Sequence, residues 1–322
     1  MLQLRLLGLL LLVIGLSAML WQGCRTSESA TERDTLPQFI YTVDATQPAR
    51  GEFAITFSFE RLSLGEEEIF SIPAWAPGAY QFTQYGQYIT ALTAFDRSGN
   101  RLEVKQLDTN SWKIRPAHQL ARLEYRVAEM QRPDLLYPET TELNDARGYF
   151  NATNIFGYLQ GYKHLPCLVH YRLPEGWQMA CAIETAPHSL TARAKNYDEL
   201  VDSPVMLGRF HRYDFTILNK PHSVIIDADS APQPDSLIAV IKEIVLAHHH
   251  FSENYLMRST CFFFASHVPN FSYSSAHSSI NILRHIICRS LIGIMPALTQ
   301  LPPPLATSFF TFGIRSVFIA IF

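Results

Sequence analysis

Ile72-Pro73-Ala74-Trp75-Ala76-Pro77-Gly78-Ala79-Tyr80 joins an apolar run to a turn. A half-buried strand is expected to end at Ile72. Pro77 then supplies a fixed φ and Gly78 the positive φ that a type II turn needs. Trp75 and Tyr80 flank the turn, each with an apolar body and one polar handle. Taken alone, this is a structural corner of a β domain with two aromatics closing one end of a core. The surrounding sequence decides whether it means more.

Outward from that corner the signal is mostly strand. Phe53, Ile55, Phe57 and Phe59 alternate with smaller or polar residues, the period of a sheet with one buried face. Ile89 to Phe95 reads as a strand closed by the hairpin-type turn Asp96-Arg97-Ser98-Gly99-Asn100. Leu102 to Leu107, Trp112 to Ile114 and Leu123 to Val127 continue the pattern. Pro133 to Lys163 is less regular and sets Asp145, Arg147, Tyr149 and Asn151 in a polar, aromatic loop. Asn151-Ala152-Thr153 there matches a glycosylation triplet, which matters only in a eukaryotic secretory pathway. Cys167 to Leu173 resumes as strand. Pro174-Glu175-Gly176-Trp177 is a second turn, and strands follow around Arg209 to Leu218 and Ser223 to Ile226. The expectation is a mainly β, antiparallel sandwich-like domain over residues 38–230.

The character changes at Asp227. Ala231-Pro232-Gln233-Pro234 is a boundary, and Asp235 is placed to cap a helix. Leu237, Ile241, Ile244, Val245 and His248 fall on one helical face, so a first helix is expected from Ser236 to about His250. After Glu253 the chain carries no Asp or Glu. A soluble surface ordinarily carries about a quarter charged residues. Pro302-Pro303-Pro304, Arg284 and Arg315 interrupt the apolar tail before a membrane span forms. Residues after Glu253 are expected to pack poorly and to favour aggregation.

The N-terminus is an address. Arg5 precedes the apolar run Leu6 to Leu20, which has the length of a signal-peptide core and is short for a spanning helix. Gly23-Cys24 follows, as at a bacterial lipoprotein processing site with Cys24 lipidated. Trp21 and Gln22 depart from that pattern, and an uncleaved anchor or an ordinary secretory signal are the alternatives. Each reading exports the chain to the cell envelope. Arg25 to Pro37 reads as a flexible tether. The net charge of -3, with no basic block, argues against nucleic acid as a partner. Of the remaining cysteines, Cys167 and Cys181 lie on neighbouring expected strands. They are either a disulfide or, the favoured reading, two buried thiols.

These stretches together carry a family resemblance. Trp75-Ala76-Pro77-Gly78-Ala79-Tyr80, the Asp96 to Gly99 turn, Asp108 to Trp112, Pro174 to Trp177, and Tyr197 to Gly208 with Asp202-Ser203-Pro204-Val205 resemble the N-terminal domain of glycyl aminopeptidase-like zinc metallopeptidases, peptidase family M sixty-one. The resemblance runs from about Phe39 to Tyr255. It makes Trp75, Pro77, Gly78, Tyr80, Trp112, Asp202, Ser203 and Pro204 structural signature residues. It also implies that residues 231–322 open a thermolysin-like α+β catalytic domain, here incomplete. In intact relatives the β domain is expected to shape the substrate entrance.

The same resemblance implies zinc, held by His-Glu-x-x-His on a helix. Two His four apart share a helical face, and the Glu activates bound water. No such motif occurs in this sequence. Asn270 to Tyr273, Ala276 to Ser279 and Phe309 to Ser316 resemble the flanks of the zinc helix, but Pro302-Pro303-Pro304 stands where the helix belongs. No catalytic or metal-ligating residue can be carried over. His248, His249 and His250 diverge by about 100° each on a helix. His267, His277 and His285 have no matched spacing. No Gly-x-Ser-x-Gly elbow is present. Asp198 and Asp202 read as loop and turn residues, since Ser203-Pro204 turns the chain out of a helix.

Three functions follow as expectations. The first is an exported, catalytically inactive relative with no cofactor of its own. The second is an exported β module binding a peptide or protein through Trp75, Tyr80 and Tyr85. The third is an active peptidase whose C-terminal sequence is frame-disrupted.

Overall fold

The computed structural model describes residues 36–76, 82–130, 141–183 and 185–227, part of 234–246, and the backbone of strands at 260–265 and 317–319. All elements belong to the unit Gln38–Phe322. Expectations that rest on Leu6 to Leu20, Cys24, Pro77, Gly78, Tyr80, the histidines from His248 onward and Pro302-Pro303-Pro304 fall outside the described residues.

The fold is mainly β, in four sheets. The largest has the order β13-β11-β1-β2-β7-β4, built from β1 (Gln38–Asp44), β2 (Glu52–Glu60), β4 (Ile89–Asp96), β7 (Leu120–Ala128), β11 (Cys167–Arg172) and β13 (Thr191–Ala194). Alternation builds its inner face. Phe39, Tyr41 and Val43 on β1 face Phe59, Phe57 and Ile55 on β2, and Phe57 in turn faces Leu123 on β7. All pairs are antiparallel except β1 with β11, a parallel pairing that joins strands far apart in sequence. Alternation within a strand gives no indication of its partner's direction, so this pairing was not foreseen.

A second sheet, β10-β3-β6-β5, comprises β10 (Tyr158–Leu159), β3 (Glu68–Ser71), β6 (Ser111–Arg115) and β5 (Glu103–Asp108). Phe70 of β3 reaches Phe57 and Tyr125 of the first sheet, both at 5.5 Å between ring centres. Gly157 lies against that ring, and a Cβ there would stand 2.1 Å from Phe70 Cζ. This aromatic cluster is the centre of the core. Between β4 and β5 the expected turn forms: the Asp96 carboxylate accepts from Asn100 N at 2.8 Å and from Asn100 Nδ2 at 2.9 Å, with Gly99 at φ 84°.

The third sheet, β12-β14-β9-β8, contains β8 (Thr141–Leu143), β9 (Arg147–Phe150), β12 (Gln178–Ala180) and β14 (Val205–Gly208). It corrects the loop reading of this region. Arg147 and Tyr149 are strand residues, and Tyr149 is buried. Asn151 is buried and caps helix α1 (Ala152–Ile155) through its side chain, which accepts from Thr153 N. In the folded protein its amide is therefore not available as a glycosylation acceptor.

The last sheet, β15-β16-β17-β18, starts with the hairpin β15 (His211–Ile217) and β16 (Lys220–Asp227). Leu218 and Asn219 both take positive φ in its two-residue turn, the twist that such hairpins require. β17 (Thr260–Ala265) lies parallel to β16, and β18 (Val317–Ile319) parallel to β17. Described positions between 235 and 246 are helical, and Ile241 is buried against Ile217, Val224 and Ile226. Ile238 N donates to Pro234 O at 2.8 Å, so Pro234 is the cap residue and Asp235 the first helical one, inside the first turn and not at the cap. Arg147 links the third sheet to the fourth, pairing with Glu142 at 3.2 Å and with Asp227 at 3.0 Å, all three largely buried. Among the described residues no helix is long and apolar enough to cross a membrane.

Cys167 and Cys181 do not pair. Both are buried thiols outside any disulfide. Cys167 sits on β11 of the first sheet, whereas Cys181 follows β12 of the third, so they do not face each other across neighbouring strands. Burial raises the Cys167 pKa well above its ordinary value, which keeps the thiol protonated and unreactive.

Candidate functional site

Three separate stretches come together at one cleft of about 710 Å³. Ile72 to Trp75 leave β3 along one wall. Asp108 to Ser111, the β5–β6 turn, form a second. Tyr197, Asp198 and Val201 of helix α2 (Tyr197–Val201) form a third. Trp75, Asp108 to Ser111 and Tyr197 to Val201 belong to the signature read from the sequence, and nothing in the sequence indicated that they would meet.

Local hydrogen bonding fixes the walls. Ile72 N donates to Asn110 O at 2.9 Å, tying the first wall to the second. Ala74 O accepts from both Thr83 N and Gln84 N at 2.9 Å, which folds the chain back beneath Trp75. Asn110 Oδ1 accepts from Gly86 N at 2.9 Å, while its Nδ2 donates to Gln84 Oε1. A Cβ on Gly86 would stand 2.0 Å from Thr109 O, so only glycine permits this approach. Asn196 caps α2 by accepting from Glu199 N at 2.9 Å, which sets Asp198 in the first turn at the cleft. The helix ends at Val201, with Asp202 at its C-cap, ahead of Ser203-Pro204, which turns the chain out of the helix. Asp198, read as a loop residue, is helical.

The lower wall came from the segment taken as irregular. Tyr158 packs against Tyr197 at a tilt of 49°, with ring centres 4.7 Å apart. Lys163 Nζ lies 4.3 Å from the Tyr158 ring centre and 5.3 Å from that of Tyr197, within cation–π range. Gln160 Nε2 donates to Ser71 Oγ at 3.0 Å, and Ser71 Oγ lies 3.3 Å from Ser111 Oγ. The wall is held from behind by three buried tyrosines. Tyr125, Tyr197 and Tyr41 donate to the consecutive carbonyls of Ile155, Phe156 and Gly157 at 2.7, 2.6 and 2.7 Å. Burial raises the pKa of all three hydroxyls, so they stay protonated donors. The only sequence sign of this wall was its tyrosine content.

Other signature residues are structural. Trp112 is buried in the core. Ser203 is buried and donates to Glu199 O at 3.1 Å. Trp177 is buried at the Pro174–Trp177 turn, with Gly176 at φ 76°. Tyr85, expected on a binding surface beside Trp75, is fully buried and unavailable to a partner. Trp75 and Phe82 remain on the rim, 49% and 77% exposed.

Among the described residues no histidine lines the cleft, and Ser71 and Ser111 bond to each other. The residues do not fit zinc: the sequence has no His-Glu-x-x-His, and among the described residues no three His, Cys, Asp or Glu side chains converge. The cleft is equipped to bind, with an aromatic rim, carboxylates and a firmly held floor.

Comparison with known proteins identifies the domain that carries this cleft. Residues 40–209, more than half of the chain, match the peptidase M61 N-terminal domain. The protein carries the β-rich accessory domain of a metallopeptidase class, and it belongs to the M61 N-terminal domain family. Among solved structures it is similar to an aminopeptidase N family protein from Idiomarina loihiensis, with 22% identity and a TM-score of 0.63 over 71% of this chain and 39% of that one. The M1 zinc metallopeptidase of Deinococcus radiodurans, in a variant bound to Tyr-Ser-Ala, aligns with 12% identity and a TM-score of 0.43 over 73% of this chain and 56% of that one. The present chain thus spans less than two thirds of either relative. No match was found among curated proteins.

Proposed function

We propose that this chain is an exported, non-hydrolytic member of the family that binds polypeptide in the Trp75 cleft. One observation carries the reading: signature residues line a cleft in a chain whose sequence has no His-Glu-x-x-His motif. Residues 1–24 would act as an export signal, with Cys24 as the lipid attachment point and residues 25–37 as the tether. Residues 38–230 would be the binding domain. Residues 231–322 would be the start of a catalytic domain without its metal ligands. The proposed location is the cell envelope, with peptide or protein partners and no nucleic acid.

The test is made on the purified full-length chain. Zinc is measured by elemental analysis and hydrolysis with a panel of aminoacyl-anilides, glycyl and alanyl derivatives included. The expected result is sub-stoichiometric zinc and no turnover above buffer. Stoichiometric zinc with chelator-sensitive turnover would overturn the non-hydrolytic reading.

A further inference from the structure

Three charged side chains line the cleft, and their balance specifies the ligand. They are Asp108, Asp198 and Lys163. Lys163 is drawn over the faces of Tyr158 and Tyr197. Among the described residues neither Asp108 nor Asp198 forms an ion pair, and both side chains belong to exposed residues. Asp108 Oδ1 accepts from Asn110 N at 2.8 Å, which leaves most of that carboxylate's acceptor capacity open. The neutral polar groups have less to offer. The Asn110 amide donates to Gln84 and the Gln160 amide to Ser71. Two open carboxylates disfavour an anionic ligand and favour a cation. The exposed faces of Trp75 and Phe82 on the rim suit an apolar neighbour or the aliphatic stem of that cation.

We propose that the cleft selects polypeptides carrying a Lys or Arg side chain next to an apolar residue. The cation meets Asp108 and Asp198, and the apolar neighbour meets Trp75 and Phe82. This rests on the binding reading above and specifies its ligand.

The full-length chain is titrated at low salt with end-blocked acetyl-Ala-Leu-Lys-Leu-Ala-amide and with its Gln and Glu counterparts, following tryptophan emission. Blocked ends confine the charge to the central side chain. The Lys peptide is expected to bind best and the Glu peptide worst. The Asp108→Asn/Asp198→Asn double substitution should weaken the Lys peptide about tenfold, the scale of one lost charge pair, and bring it level with the Gln peptide. Asn at position 108 keeps an acceptor for Asn110 N, and a melting curve matching the parent shows that the fold is intact. Equal binding of the Lys and Gln peptides, or no effect of the double substitution, overturns cation selection and leaves polypeptide binding standing. No saturable response to any of the three overturns both.

Discussion

Tyr41, Tyr125 and Tyr197 in the layered core, and His222 in the C-terminal hairpin, are all buried polar side chains. The three tyrosines each donate to a backbone carbonyl at 2.6–2.7 Å. His222 is 1% exposed, stacked on Phe215 with ring centres 5.7 Å apart, and neither ring nitrogen has a partner. The two regions also differ in size. The layered core gathers apolar residues from Phe39 to Leu207, whereas the hairpin cluster rests on Ile217, Val224, Ile226 and Ile241. A buried polar group without a partner costs about 1–3 kcal/mol relative to a satisfied one. The region with the larger apolar core therefore sets the global stability, and the hairpin region, with its buried unpaired imidazole, should respond first to acid and to mutation.

The largest effect is expected at the centre of the layered core. Phe70 is fully buried between the two sheets and lies under Gly157. Phe70→Ala should lower stability by about 3–5 kcal/mol through lost burial and the cavity left behind. Phe215→Ala, on the hairpin and in contact with His222, should cost less. Urea denaturation followed by circular dichroism measures both, and equal losses would erase the contrast.

Next comes the link between the third and fourth sheets. Arg147 holds Glu142 and Asp227, and both carboxylates are less than one-fifth exposed. Arg147→Met keeps the side-chain length and removes the charge, leaving two poorly solvated carboxylates. The expected loss is about 3 kcal/mol. A double variant that also carries Asp227→Asn should recover part of it; failure to recover would show that the ion pair with Asp227 is not the source.

Sequence reasoning reached these two regions unequally. The alternation of Phe53, Ile55 and Phe57 was legible because one buried face imposes a period of two, and all three are core residues. The Asp96–Asn100 turn was legible because its bonds are local. Arg147 was read as part of a loop because β9 is four residues long, with three buried in succession, and shows no alternation. The cleft was legible only as fragments. Trp75, Asp108 and Asp198 were each quoted, yet their meeting depends on sheet topology and on a helix cap, and no local pattern records that. Tyr85 illustrates the same gap, because an aromatic beside a turn reads alike whether it ends inside or outside.

A smaller, pH-dependent effect separates His222 from the tyrosines. Burial lowers its folded-state pKa to about 4, whereas the unfolded chain titrates near the ordinary 6.5. Between those values the unfolded state binds more protons. The stability that neutral His222 contributes is complete above pH 6.5 and is lost as pH falls toward 4. His222→Phe preserves an aromatic partner for Phe215 and removes the titration. Its urea midpoint should fall less than the parent's between pH 7 and pH 4.5. Comparing the two proteins cancels the carboxylates common to both, and parallel pH profiles would mean that His222 does not report the hairpin's exposure to acid.

The smallest effect on stability is expected where the comparison turns from folding to function. Trp75 stands 49% exposed on the cleft rim, while Trp112 and Trp177 are buried. Loss of an exposed ring leaves little cavity, so Trp75→Ala should change the unfolding free energy by no more than about 0.5 kcal/mol. Trp112→Ala, by contrast, should cost about 3–5 kcal/mol. The ranking should reverse for binding. Trp75→Ala should weaken the Lys peptide while leaving the fold intact, because in the proposed binding mode the half-exposed rim ring meets the ligand. A Trp75→Ala protein that unfolds early would make the signature tryptophan a structural corner after all. One that folds and binds like the parent would remove it from the cleft's recognition surface.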